Sequence, residues 1–203
     1  MSDDYVPGDL VLDDIVDQRA YEREREAFRA HVIALKKQRR VHVGIFQTLL
    51  FENRDTIRFQ IQEMARVEKI NTDEGIRAEL RAYNPLISRP GKLSATLFLE
   101  LTTDEQLREW LPKLVGIERH YEIHLGTGDD VDIIAAQVDA GHDSTLTREE
   151  TTASVHYLWW PFTTEQAEKL ANGPARVVCT HPAYLEVTEL TDINRASLSA
   201  DLL

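Results

Sequence analysis

The chain has 203 residues, a hydrophobic fraction of 42% and a charged fraction of 29%, which is ordinary globular composition. Its net charge of −12 argues against a general nucleic-acid binder, and no stretch approaches the roughly 20 apolar residues of a membrane helix. One cysteine, Cys179, excludes an internal disulfide and fits a reducing compartment, so the expected location is the cytoplasm.

Residues 1–12 read as an irregular, acidic arm without the basic-then-apolar pattern of a secretion signal. A helix is predicted from Asp13 to about Gln38, with Tyr21, Phe28, Val32 and Leu35 recurring at helical spacing. Its other face is basic. Residues 19–40 carry eight Lys/Arg against three Glu, whereas residues 101–150 carry twelve Asp/Glu against four Lys/Arg. A solvated helix face accounts for such a run. The asymmetry also suits docking of one copy on another, or of an acidic partner on the basic arm.

Val41–Phe46 and Thr48–Phe51 predict two short strands or one bent strand. Asn53 is a helix N-cap, and the helix it opens runs to Ile70. Thr72-Asp73 starts another helix, which Asn84-Pro85 stops. Beyond residue 90 the chain turns β-rich. Strands are expected at Leu93–Leu101, His120–Leu125, Val131–Val138, Ala153–Phe162 and Ala175–Thr180, and short helices at Thr103–Leu114 and Thr164–Ala171. Residues 139–150 form a polar loop, and a short helix or tail starts at Asp192. The expectation is an α+β fold: an N-terminal helical segment packed with a mostly antiparallel sheet, helices interspersed. Residues 13–203 would form one domain, helix-rich over 13–90 and β-rich over 91–203.

Walker A, G-x-G-x-x-G, G-x-S-x-G, H-E-x-x-H and paired C-x-x-C patterns are all absent from the sequence. The first candidate site is the polar surface of the Asn53–Ile70 helix. Arg58, Gln60, Gln62, Glu63 and Arg66, with Asn84 and His181 nearby, would form a pocket for a carboxylate, phosphate or polar ring. The plainer reading is a network tying this helix to its neighbours. The second candidate is His120, Glu122 and His124 on one strand face, with His156 as a further metal ligand; its plain reading is an exposed polar face. The third is His181-Pro182-Ala183-Tyr184 at a sheet end, where Tyr184 would join a ligand site and Cys179 shares a face with His181. Buried and inert is the ordinary state of such a cysteine. Trp159 and Trp160 point to opposite strand faces, one toward the core and the other toward a helix, a partner or water; a homodimer interface is one expectation there.

Lys36-Lys37-x-Arg39-Arg40-Val41-x-Val43-Gly44, Phe51-Glu52-Asn53, Gln60-x-Gln62-Glu63-Met64-x-Arg66-x-Glu68, Tyr83-Asn84-Pro85-Leu86, Gly116-Ile117-Glu118 and His181-Pro182-Ala183-Tyr184 together resemble a bacterial family, domain of unknown function family 3501. The resemblance runs from about residue 12 to residue 200. It carries no assigned activity and no cofactor. Through members encoded near rubrerythrin-like and iron–sulfur oxidoreductase-like proteins, it implies a role around peroxide or redox stress. The expectation is therefore an accessory or binding protein with a redox-protein partner. An enzyme or small-molecule sensor using the polar pocket, and a metal protein using the strand histidines, are the alternatives.

Overall fold

The computed structural model describes residues 6–128, 130–138 and 151–203. Among them are six α-helices and nine strands in two antiparallel sheets, an α+β fold. The helices are α1 Gln18–Arg39, α2 Arg54–Glu68, α3 Asp73–Tyr83, α4 Asp104–Trp110, α5 Thr164–Asn172 and α6 Asp192–Leu202. The strands are β1 Arg40–Val43, β2 Gln47–Phe51, β3 Lys92–Leu99, β4 Tyr121–Leu125, β5 Asp132–Ala135, β6 Gln137–Val138, β7 Val155–Pro161, β8 Ala175–His181 and β9 Tyr184–Glu189. The polar loop expected over 139–150 lies outside the described residues. No helix among them is long and apolar enough to cross a membrane.

The first sheet has the order β1-β2-β3-β7-β6 and the second β5-β4-β8-β9. The segment expected as one strand, Val131–Val138, breaks at Ala136 and serves both sheets, β5 in one and β6 in the other. At the opposite edges, side chains join β9 to β1. The Tyr184 hydroxyl donates to the Val43 carbonyl at 3.0 Å, and Thr188 Oγ1 donates to the His42 carbonyl at 2.9 Å. The strands thus wrap around one core, in which Leu49, Phe51, Leu97 and Trp160 of the first sheet meet Tyr121, Ile123, Val177 and Cys179 of the second. One end is closed by Leu114 and Ile117, the other by Leu170 of α5 and Leu198 of α6. Trp160 is fully buried in this core. Trp159 faces the other way, half-buried beneath the Lys92 ammonium, which lies 5.5 Å from its ring.

Capping chemistry sets the helix limits. α1 begins at Gln18 and not at Asp13, because the Asp17 carboxylate accepts the Ala20 N–H and closes the helix there. Residues 12–14 form a separate 3-10 turn. Asn53 caps α2 as expected: its Oδ1 accepts from Thr56 N at 3.1 Å while Thr56 Oγ1 accepts from Asn53 N at 2.9 Å. Lys69, with φ 57°, ends α2 in a left-handed cap. Beyond His181 no strand is expected from the sequence. The chain instead turns at Pro182-Ala183 and returns as β9, completing the second sheet.

The two sheets differ in what lies outside them. Outward residues of the first sheet, Thr48, Leu50, Ser94 and Thr96, are buried under the helical layer. A second small core forms there from Leu10, Ile57, Ile61, Leu80 and Ile87. On the second sheet the outward residues of the edge strands stay exposed, Ile133 at 58%, Leu185 at 71% and Val187 at 57%, while those of β4 and β8 are half-buried.

Candidate functional site

The polar face of α2 is built from residues pointing away from Ile57, Ile61 and Ala65, which face the second core. Glu63 is its centre. Its Oε1 accepts the Tyr21 hydroxyl at 2.7 Å and Arg25 Nε at 2.8 Å, and its Oε2 accepts Arg25 Nη2 at 3.0 Å and Arg66 Nη2 at 3.1 Å. The Arg25 hydrogen bonds, outweighing burial and helped by Tyr21 and Arg66, pull the Glu63 carboxyl down to about 2. The same carboxylate, after burial, pushes the Tyr21 phenol up. Of the eight basic residues over 19–40, Arg25 is engaged here and Arg39 in an ion pair with Asp201.

Arg58 stacks over Phe28 at 4.7 Å, donates through Nε to the Asp14 carbonyl at 2.8 Å, and pairs with Glu24 at 2.9 Å. Gln62 is buried and makes two bonds to one backbone unit: Oε1 accepts Val16 N–H at 2.9 Å and Nε2 donates to the Val16 carbonyl at 3.2 Å. Asn84 repeats the pattern on Leu10, with both distances 2.9 Å. Gln60 is half-buried on the same helix. Arg58, Gln62 and Asn84 thus converge on the backbone of residues 10–16 and hold that segment across α2 and α3. The expected pocket is filled by the chain's own arm.

His181 and Tyr184 belong to other neighbourhoods. His181 Nδ1 accepts the Ala183 N–H at 3.2 Å and Nε2 donates to the Val115 carbonyl at 3.3 Å, which defines a neutral imidazole. Burial lowers its pKa; the Val115 carbonyl opposes this, and the His120 ring, 4.9 Å away, adds to it. Tyr184 accepts from Ile45 N at 2.8 Å and fastens the β1–β2 turn to β9. Cys179 is buried, and desolvation raises its thiol to about 11, which keeps it protonated at neutral pH.

The strand histidines pair at separate places. His124 Nε2 meets Glu122 Oε2 at 2.7 Å on the outer face of β4. His120 lies against His181. His156, on β7, is 3.8 Å from Glu118 and 3.0 Å from Thr152 Oγ1. No group of three His, Cys, Asp or Glu side chains among the described residues is placed to hold a metal ion.

The outer face of the second sheet extends the polar face expected on β4 across β8 and β9. Its rows run across the strands: Leu185 beside Thr180, Val187 beside Val178 beside Glu122, and Glu189 beside Arg176 beside His124. The alternation of Tyr184-Leu185-Glu186-Val187-Thr188-Glu189 is the signal that marks it.

Comparison with known proteins gives the same picture of fold without chemistry. The family model described as "Protein of unknown function (DUF3501)" matches residues 9–202. A crystal structure of a protein of unknown function from Burkholderia pseudomallei K96243 is 37% identical to this chain. It covers 96% of this chain and 99% of its own, with a TM-score of 0.86. No curated protein matches.

Proposed function

Since the chain belongs to the DUF3501 family, which it matches over residues 9–202, we propose that it is an accessory binding protein that works as a homodimer through the outer face of its second sheet. One observation carries this reading: that face is complementary to itself. Across β8 and β9 the register pairs Arg176 with Glu189, Val178 with Val187 and Thr180 with Leu185. A two-fold axis parallel to these strands and midway between them lays β8 of one copy on β9 of the other. Arg176 then faces Glu189 of the partner subunit, and Val178 faces the partner subunit's Val187. Both contacts occur twice, as an isologous interface requires. Exposed aliphatic area supplies the association energy and the paired charges fix the register.

Sedimentation equilibrium tests the reading. Wild type is expected to dimerise reversibly, and Val187→Asp to be monomeric with unchanged circular dichroism. A wild-type protein that stays monomeric at high micromolar concentration would remove the dimer. The single buried cysteine supports a cytoplasmic setting. The resemblance directs the search for clients to rubrerythrin-like and iron–sulfur oxidoreductase-like proteins. Purified candidates of those two classes that show no binding would exclude the redox assignment while leaving the dimer.

A further inference from the structure

The N-terminal segment from Asp9 to Val16 is attached to the rest of the molecule in an unusual way. Its backbone–backbone hydrogen bonds among the described residues are local, as Asp9 N to the Val6 carbonyl, Asp14 N to the Val11 carbonyl and Ile15 N to the Leu12 carbonyl. Its hydrogen bonds to the body, among the described residues, involve a side chain on at least one side. Asn84 grips both backbone polar groups of Leu10, Gln62 grips both of Val16, and Arg58 takes the Asp14 carbonyl. Arg89 pairs with Asp9 at 2.8 Å and Arg54 with Asp14 at 2.6 Å. Leu10 is the segment's one buried side chain; it completes the small core of Ile57, Ile61, Leu80 and Ile87.

These are the means by which a protein holds a peptide ligand, not those by which it extends a sheet or helix. Paired amides read an extended backbone whatever its side chains, a pocket selects one aliphatic residue, and arginines select acids around it. A segment with one buried residue and no main-chain pairing to the body lies at the low end of local stability. Beside its start, a cleft of about 490 Å³ lined by Pro7, Gly8, Arg54, Ile87, Arg89 and Asp201 continues the groove.

We infer that the groove between α2 and α3 is an exchangeable peptide-binding site, occupied in cis by residues 9–16, whose client in trans is a protein segment of the same acidic–aliphatic chemistry: an acid followed by an aliphatic residue, and a second acid four residues after that aliphatic residue. This inference rests on the binding-protein reading and names the client's chemistry. It does not depend on the dimer.

The probe is a fluorescent peptide of residues 6–17, titrated into the full chain and followed by anisotropy. The variant Leu10→Glu weakens the arm without altering the groove. It is expected to bind the peptide at least tenfold more tightly than wild type, and adding Gln62→Ala to it is expected to reverse the gain. A folded Leu10→Glu protein that binds no better than wild type overturns the inference. Hydrogen exchange on wild type needs no variant. The Leu10 and Val16 amides are expected to exchange at least a hundredfold faster than that of Leu97. Exchange at the Leu97 rate overturns the inference as well. Sedimentation of the same proteins separates a failed groove from a failed dimer.

Discussion

Arg39 and Asp201, 162 residues apart in the sequence, form an ion pair. Arg39 is 1% exposed, and all its donors are used. Nε donates to the Phe51 carbonyl at 2.9 Å, Nη1 to the Ser197 carbonyl and hydroxyl at 2.9 and 3.2 Å, and Nη2 to the Glu52 carbonyl at 3.3 Å and to Asp201. One guanidinium thereby ties the end of α1, the β2–α2 junction and α6 together. Arg39→Met leaves several carbonyls without donors and takes the cation from the half-buried Asp201 carboxylate, so a loss of roughly 3–5 kcal/mol is expected in urea unfolding. Arg39→Met with Asp201→Leu is expected to recover part of that loss, because the uncompensated charge goes with it. Equal losses in the single and double variants would show that the pair is not coupled.

Glu63 predicts an acid-sensitive link between α1 and α2. Its folded pKa of about 2 lies below the ordinary glutamate value of 4.5. Its stabilisation is therefore present in full above the usual carboxylate range and fades as pH falls toward 2. With partial solvent screening the amount is on the order of 1–2 kcal/mol. Unfolding free energies measured from pH 6 to pH 2.5 are expected to fall more steeply for wild type than for Glu63→Gln. Parallel curves would contradict the assignment.

Gly44 and Tyr184 define the seam between the sheets. Gly44 has φ +64°, and an added Cβ would overlap the Tyr184 hydroxyl. Gly44→Ala meets both a left-handed backbone and a clash, and is expected to cost roughly 2–3 kcal/mol. Tyr184→Phe keeps the ring against Phe46 and loses only the hydroxyl's bonds, so about 1–2 kcal/mol is expected. Thermal denaturation should rank the two in that order.

Local chemistry made much of this fold legible in advance. Asn53, Thr72 and Thr103 announced three helix starts, and each caps the helix that follows it. The α+β class followed from the change of periodicity near residue 90. Long-range pairing was not legible. Gln62 shows as a polar residue on a helical stripe, but its partner Val16 is 46 residues away and Asn84's partner Leu10 is 74 away. A stripe of amides and arginines looks the same whether it waits for a ligand or holds the chain's own arm. β9 is not legible because a proline after a strand looks like an ending, whereas a proline in a two-residue turn also begins a hairpin return. Without β9, the exposed face that carries the proposed dimer had no second strand on which to be seen.

The most direct test of that dimer is a charge exchange at Arg176 and Glu189, read as a dimer dissociation constant by analytical ultracentrifugation. In the two-fold arrangement Arg176→Glu sets two carboxylates against each other on each side of the axis, and Glu189→Arg does the same with two cations. Each single variant is expected to weaken dimerisation at least tenfold. Arg176→Glu combined with Glu189→Arg is expected to return it to within about threefold of wild type, since facing charges are again opposite. Single variants that dimerise like wild type, or a double variant as weak as the singles, would contradict the interface.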